Sequence, residues 1–144
     1  MTRKFAISEI IEQAAQKSSD AEKISHLQQN QTEALKTVLQ YALHPGIKWV
    51  LPPGAPPYKP TDFLDQEGML YMEARRLYLF VEGGNNDLKK VKREMMFIGL
   101  LESIHNKDAE LLLAAKEKKL PYPSITYNIV NSAFPGLLPD EQVS

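Results

Sequence analysis

The chain has 144 residues, about the length of a single domain with one hydrophobic core. Hydrophobic residues make up 43% of the sequence and charged residues 24%, which is ordinary globular usage and argues against a disordered protein. The net charge of −1 does not indicate a strong nucleic-acid-binding protein, and the absence of cysteine excludes disulfides, cysteine-ligated zinc and a thiol nucleophile.

The first part of the chain predicts three amphipathic helices. Ser8 is the expected N-cap of the first helix. Ser19 and Glu22 form the capping-box pattern, in which each side chain bonds the backbone N–H of the other residue, and they predict the start of the second helix. Asn30 and Glu33 repeat this spacing before the third helix, whose apolar stripe should face the core: Leu35, Val38, Leu39 and Ala42.

A proline-rich segment follows the third helix, which should end at Pro45-Gly46. Residues 47–60 begin with apolar and β-branched residues and then contain five prolines, a composition that forbids a helix and favours an extended, packed loop. Trp49 and Tyr58 could form a platform for a ligand. Aromatic residues in such a loop more often anchor it to the core, and this is the structural alternative that we prefer.

The next helix is predicted over residues 69–81, as a long central helix of the core that ends at Gly83-Gly84. Asp62, Asp65 and Glu67 crowd its entrance. Paired carboxylates can act in acid–base catalysis or bind a metal, but negative charge also complements the dipole at the start of a helix. We interpret these three residues as helix-entry charge.

The longest helical pattern covers residues 87–104, with Asn85 or Asn86 as its expected cap. Its second half is apolar on most sides and should be buried. Its first half carries four cations within two turns, at the helix end where the dipole disfavours them: Lys89, Lys90, Lys92 and Arg93. These cations form either a solvated face or a site that receives an anion, such as a phosphate, together with free backbone N–H groups.

Two further helices are predicted in the rest of the chain. One begins at Asn106 or Asp108 and ends with cations that agree with the helix dipole: Lys116, Lys118 and Lys119. The other is capped by Ser124 and carries Ile125, Ile129, Val130 and Ala133 on one side. The Phe-Pro-Gly sequence that starts at Phe134 should end this last helix, with the Phe134 side chain stapling its end to the core.

With at least six helices and almost no strand, the sequence predicts an all-α domain. We expect a compact bundle of about six to seven helices with a proline-rich loop, formed by residues 1–139, and a short C-terminal tail over 140–144.

Catalytic motifs are missing from this pattern. His26, His44 and His105 have no partner at metal-ligand spacing, and there is no phosphate-binding loop, nucleophile elbow or zinc-binding helix motif. We therefore expect no enzyme, no catalytic residue, no metal and no cofactor. The longest apolar run, Met95 to Leu101, is far below the roughly 18 to 20 residues of a bilayer span, and no signal-peptide pattern is present, so an intracellular location without membrane association is expected.

The last third of the chain resembles a known domain. Lys92–Met96, an apolar helix, a charged helix and then Ser124–Glu141 are similar to the helical N-terminal DNA-binding domain of ATP-dependent DNA ligases, especially the T-even bacteriophage type. In that family an Arg-rich helix with paired methionines precedes a short helix, and an Asn, an aromatic residue and Pro-Gly-Leu-Ile-Pro close the domain. The corresponding residues here are Arg93, Met95, Met96, Asn131, Phe134, Pro135, Gly136, Leu137, Leu138 and Pro139.

The ligase signature Lys-x-Asp-Gly is missing, so nick sealing is not expected. The resemblance implies a small, non-catalytic accessory protein of phages related to the T-even group, including cyanophages, located in the host cytoplasm or the virion. It implies sequence-independent binding to the backbone of duplex DNA. The expected contacts are Lys89, Lys90, Lys92 and Arg93, with Lys116, Lys118, Lys119, Asn128 and Asn131 as further contacts.

A protein-binding module is the alternative. The near-neutral charge, the proline-rich segment 51–60 and the C-terminal residues 136–144 favour it. The expected partners are then the sliding clamp, the host RNA polymerase or a virion component, and no small-molecule substrate is indicated.

Overall fold

The computed structural model describes residues 5–59 and 69–139. Within these residues the chain is an all-α bundle, which confirms the predicted fold class. One isolated antiparallel bridge, between Trp49 and Val81, is the β-type pairing seen in this part of the chain. The helices are α1 (Ile7–Ala15), α2 (Asp20–Gln29), α3 (Glu33–Leu43), α4 (Met69–Glu73) with a 3₁₀ helix (Ala74–Phe80) directly after it, α5 (Lys90–Ser103), α6 (Asn106–Lys116) and α7 (Tyr127–Ala133).

Helix α6 lies at the centre of the bundle, where it packs against α1, α3 and α5. Helix α2 bridges α1 and α7, and the 3₁₀ helix packs on α3 and α5. The core takes side chains from every helix, and the whole predicted stripe of α3 is buried in it. The largest fully buried side chains are Phe80, Phe97, Ile7, Ile11, Leu27, Leu35, Leu39, Leu70, Leu77, Leu101, Ile104 and Leu111.

The start of α2 follows the sequence prediction, because the Ser19 hydroxyl accepts a hydrogen bond from the Glu22 N–H at 3.2 Å. The predicted cap of α1 was wrong. Ala6 is the N-cap, and Ser8 lies inside the first turn, almost fully buried. The Ser8 N–H donates to Asp108 Oδ1 of α6 at 2.9 Å, so this turn of α1 is fixed by a tertiary contact that the local sequence does not reveal.

The predicted cap of α3 was also wrong, by two residues. Thr32, not Asn30, is the N-cap, and its Oγ1 accepts from the Leu35 N–H at 3.1 Å. The Asn30 side chain instead closes the preceding helix, where its Nδ2 donates to the His26 carbonyl at 2.8 Å. One polar residue therefore ends α2 and the next suitable one begins α3.

Helix α7 repeats this displacement. Thr126 is the N-cap, with its Oγ1 3.3 Å from the Ile129 N–H, whereas the predicted cap Ser124 donates its hydroxyl to the Ala15 carbonyl at 3.1 Å. Ser124 thus ties the entrance of α7 to the end of α1. The expected apolar side of α7 is buried, as are Phe134 and Leu138 beyond its end.

The cap of α5 also differs from the one predicted. Lys89 occupies the N-cap position of α5, and its side chain makes no capping hydrogen bond. The predicted cap Asn85 instead accepts from the Asp87 N–H through Oδ1, within the turn before the helix. Helix α6 begins at Asn106 as expected. Its cap is His105, whose ring accepts from the Lys107 N–H.

The long helix predicted over 69–81 is α-helical only as far as Glu73 and then narrows to the 3₁₀ helix. Its end is fixed by pairing with the proline-rich segment, because the Val50 N–H donates to the Phe80 carbonyl at 2.9 Å. The turn that follows needs glycine at position 84, where a Cβ would lie 1.7 Å from the Tyr78 carbonyl oxygen. The acidic residues expected at the helix entrance, Asp62, Asp65 and Glu67, lie outside the described residues.

Trp49 anchors the proline-rich loop, as predicted. Its Nε1 donates to the Tyr41 carbonyl at 2.9 Å, and its ring meets the rings of Tyr41 and Phe97 edge to face. Tyr58 is half-buried and packs against the same core. The loop is therefore a fixed part of the bundle. No helix in the described part of the chain is both long enough and apolar enough to cross a membrane.

We predict that Thr32→Ala lowers the free energy of unfolding by about 1 kcal/mol, because the Leu35 N–H loses its capping acceptor. Thr32→Ser keeps the hydroxyl and is the matched control. Urea denaturation followed by circular dichroism measures both variants. Equal stability of Thr32→Ala and Thr32→Ser would contradict the assignment of this cap.

Candidate interaction surface on helix α5

The nine residues predicted to contact DNA lie on three elements. Four are at the entrance of α5, three at or just beyond the end of α6, and two on α7. Their side chains differ in the contacts that they make. Three cations bind the protein's own backbone: Arg93, Lys116 and Lys118.

Arg93 fastens the segment before α5 to the helix. Its Nε donates to the Leu79 carbonyl at 3.1 Å, and its Nη2 donates to the carbonyls of Leu88 at 2.9 Å and Asn85 at 3.3 Å. The planar guanidinium group has donors in a fixed fork, so one side chain can satisfy three carbonyls of an irregular segment. Arg93 thus has a structural role at this position.

Lys116 is buried beneath the proline-rich loop, with a side chain only 2% exposed. Its Nζ donates to the Pro52 carbonyl at 2.8 Å and pairs with Glu117. Glu117 Oε2 also accepts from the Gly54 N–H at 3.1 Å. The hydrogen bond from Lys116, with a smaller contribution from Gly54, lowers the pKa of Glu117. The pair holds the loop to the end of α6.

Lys118 binds the C-terminal end of helix α3. Its backbone φ is +63°, and its Nζ donates to the carbonyls of Tyr41 at 3.0 Å and His44 at 2.7 Å. These carbonyls belong to the end of α3, where a helix leaves acceptors without partners and where the dipole favours a cation. Burial lowers the pKa of Lys118.

The other predicted cations are exposed. Lys89, Lys90 and Lys92 surround the entrance of α5, which has neither a side-chain cap nor an acidic residue in its first turn. Within the described residues these three lysines make no ion pair or side-chain hydrogen bond. Lys119 and Asn128 are also exposed, and Asn131 is half-buried.

The outer face of α5 carries an exposed stripe that the sequence prediction missed. Its residues are spaced three, four and three positions apart, so they lie on one face of the helix: Lys92, Met95, Gly99 and Glu102, together named the α5 stripe. Met95 is 67% exposed, and the neighbouring Val91 is 70% exposed. The expectation that the apolar half of this helix is buried was therefore wrong for Met95, because only the opposite face of α5 reaches the core.

Gly99 lies in the interior of α5, where glycine is less favourable than alanine by about 1 kcal/mol. Its conformation is helical, it is exposed, and a Cβ at this position would meet no atom within 4 Å. Neither the backbone nor the packing of the described residues requires glycine here. A close approach by another molecule is one physical reason for a glycine at such a position.

A groove flanks α5 on each side. The first, of about 290 Å³, lies between α5 and the proline-rich loop and is lined mainly by Leu51, Pro52, Pro53, Pro56, Phe97 and Ile98. The second, also about 290 Å³, lies between α5 and the 3₁₀ helix, with Arg76, Leu79, Met96 and Gly99 in its wall. Helix α5 is therefore a ridge between two apolar grooves.

The three histidines make local hydrogen bonds. His44 Nδ1 accepts from the Gly46 N–H at 2.9 Å, His105 caps α6, and His26 Nε2 lies 3.1 Å from Gln13 Oε1. Over residues 5–59 and 69–139, no group of three histidine, aspartate or glutamate side chains is arranged to hold a metal ion.

The profile of a protein family of unknown function, DUF6433, matches residues 10–122. The chain belongs to this family. The matched residues run from within α1 to the segment beyond α6 and include the whole α5 stripe, whereas α7 and the Phe-Pro-Gly turn lie outside them. No curated protein matches the sequence.

We predict that Arg93→Lys destabilises the protein by about 2 kcal/mol, because a lysine ammonium cannot satisfy the three carbonyls that the guanidinium fork reaches. The control is Lys90→Ala, an exposed change on the same helix that should alter stability by less than about 0.5 kcal/mol. Chemical denaturation of both variants tests this. Equal stabilities would argue against the structural role of Arg93.

Proposed function

We propose that this protein is a non-catalytic interaction module that binds another protein chain through the α5 stripe. The observation that carries the proposal is the combination of exposed Val91 and Met95 with a mid-helix glycine that the described fold does not require. Val91 and Met95 are four residues apart on the same helix, so they form one exposed apolar patch, and such patches mark protein-binding surfaces. The two flanking grooves provide space for side chains of a partner.

The distribution of cations favours a protein partner over a phosphate backbone. Arg93, Lys116 and Lys118 donate to backbone carbonyls, so these three cations have a structural role within the fold. The net charge is −1, and apolar Met95 occupies the middle of the most exposed face of α5. Phosphate contacts are made mostly by basic and neutral polar side chains, whereas this stripe has one basic residue, Lys92, and one acidic residue, Glu102.

A photo-cross-linking residue placed at Met95 in the full chain, expressed in cells, tests the proposal. We expect a covalent adduct with a protein at this position. The matched control is the same residue at Met72, which is also an exposed methionine but lies on α4. The absence of a protein adduct at position 95, or equal adducts at both positions, would overturn the proposal.

Duplex backbone binding is the second candidate, favoured by one specific feature. The uncapped entrance of α5 combines free backbone N–H groups with exposed Lys89, Lys90 and Lys92, an arrangement suited to a phosphate. The resemblance to the DNA-binding domain of T-even phage ligases adds support. It also suggests a phage accessory role, with a sliding clamp, host RNA polymerase or virion component as the protein partner in the first proposal.

If this second candidate is right, reversing the three lysines to glutamate abolishes binding to duplex DNA at low salt. The slope of log affinity against log salt for the unchanged protein should be about −2.7, as expected for three neutralised phosphates. The control reverses three exposed cations outside α5: Lys17, Arg75 and Lys107. Fluorescence anisotropy with a labelled duplex measures both. No binding by the unchanged protein at low salt would exclude the candidate.

A further inference from the structure

The α5 stripe is complementary in charge and side-chain size to a second α5 stripe that runs antiparallel to it. Lys92 and Glu102 lie five residues before and after Phe97, and Met95 and Gly99 lie two residues before and after it. From this symmetry we propose that two copies of the chain pair through antiparallel α5 helices, with a two-fold axis at the level of Phe97. The inference rests on the proposed function, since it names the partner of the same surface.

In such a pair the Lys92–Glu102 contact and the Met95–Gly99 contact form in the same register. A helix rises about 1.5 Å per residue, so Lys92 and Glu102 are separated by about 15 Å along the axis. In the antiparallel arrangement Lys92 of each copy therefore stands opposite Glu102 of the other, and Met95 stands opposite Gly99. A two-fold interface uses one patch on both copies, which requires this kind of self-complementarity.

Packing in the middle of the pair explains the unusual glycine. Met95 is long and flexible, and its thioether can fill the open space above Gly99 of the second copy. The stripe has the three-and-four spacing that pairs of helices use when side chains of one fit between those of the other. Val91, at the edge of the stripe, would lose exposed area in the same contact.

Charge also favours the antiparallel arrangement. The lysines at the entrance of α5 oppose the dipole of their own helix. In the pair they lie near the C-terminal end of the second α5, where a cation is favourable. Lys92 makes no ion pair in the described residues, and Glu102 is held in place by accepting from the Lys59 N–H through Oε2 at 2.8 Å. A parallel pair would instead place Lys92 against Lys92.

Sedimentation velocity of the full chain over a range of concentrations tests the pairing. The unchanged protein should form a dimer. Lys92→Glu and Glu102→Lys should each weaken it at least about tenfold, because each change turns two attractive pairs into two repulsive ones. The double variant Lys92→Glu/Glu102→Lys should restore the dimer. A monomer at all concentrations, or no restoration in the double variant, would overturn the proposal.

Gly99 gives a test in which stability and association move in opposite directions. Gly99→Ala should raise the thermal midpoint of the monomer, because alanine favours a helix and its Cβ meets nothing in the same chain. It should weaken the dimer, and Gly99→Leu should abolish it. A Gly99→Leu variant that is folded and still dimeric would contradict the predicted close approach.

Orientation can be read from disulfides, because the chain contains no cysteine. A mixture of Met95→Cys and Gly99→Cys chains should give the mixed disulfide on oxidation. Met95→Cys alone should cross-link poorly, since its two copies lie about 6 Å apart along the axis in addition to the distance between helices. Efficient disulfide formation by Met95→Cys alone would indicate a parallel pair and overturn the register.

The photo-cross-linking experiment at Met95 separates failure of the pairing from failure of the proposed function. An adduct with the mass of two chains supports both. An adduct with a different protein, together with a monomeric chain in sedimentation, overturns the pairing and leaves the proposed function standing. A monomeric chain without any protein adduct overturns both.

Discussion

The position of α5 depends on the guanidinium group of Arg93. The chain approaches α5 through the 3₁₀ helix and an irregular segment, and such a segment leaves backbone carbonyls without helical partners. Arg93 donates to three of them, from Leu79 to Leu88. The end of the 3₁₀ helix in turn pairs with the proline-rich segment through the Trp49–Val81 bridge. Arg93 thus connects α5 to the 3₁₀ helix, and the Trp49–Val81 bridge connects that helix to the proline-rich segment.

This arrangement divides α5 into an inner and an outer face. The inner face presents Phe97 to the rings of Phe80 and Trp49, which fixes the rotation of the helix about its axis. Once that rotation is set, Met95 and Gly99 must point outward, because they lie on the opposite side of a helix with 3.6 residues per turn. The exposed stripe is therefore a consequence of core packing, and its composition is free to serve an interaction.

Hydrophobic periodicity predicted where helices occur, since burial of one face is a local property of the sequence. It did not predict which of several neighbouring polar residues begins each helix. Asn30 and Ser124 have the right chemistry for a cap, yet each is used by a different part of the fold, and Thr32 and Thr126 cap the helices instead. The Asn30 side chain bonds the end of the preceding helix, and the Ser124 side chain bonds distant Ala15. A local cap pattern therefore predicts the helix but does not show which neighbouring polar residue begins it.

The candidate site shows the same division between local pattern and tertiary contact. Sequence alone identified the basic entrance of α5 but could not separate Lys92, which is exposed, from Arg93, which is bound to backbone carbonyls. Consecutive residues on a helix point in directions about 100° apart, so adjacent cations can have unrelated roles. Gly99 did carry a signal, because a glycine inside a strong helical pattern has a cost that needs a reason.

The turn that carries much of the ligase resemblance is explained by the closure of the bundle. Phe134 and Leu138 are buried, and the carbonyls of Ala133 and Leu137 accept from the side chains of Gln28 and Gln40 at 3.0 Å each. Residues committed to the core in this way constrain a fold, and a fold can host many functions. The turn thus has a structural role in this bundle. The functional argument rests on α5, where Met95 is exposed and the described fold does not require a glycine at position 99.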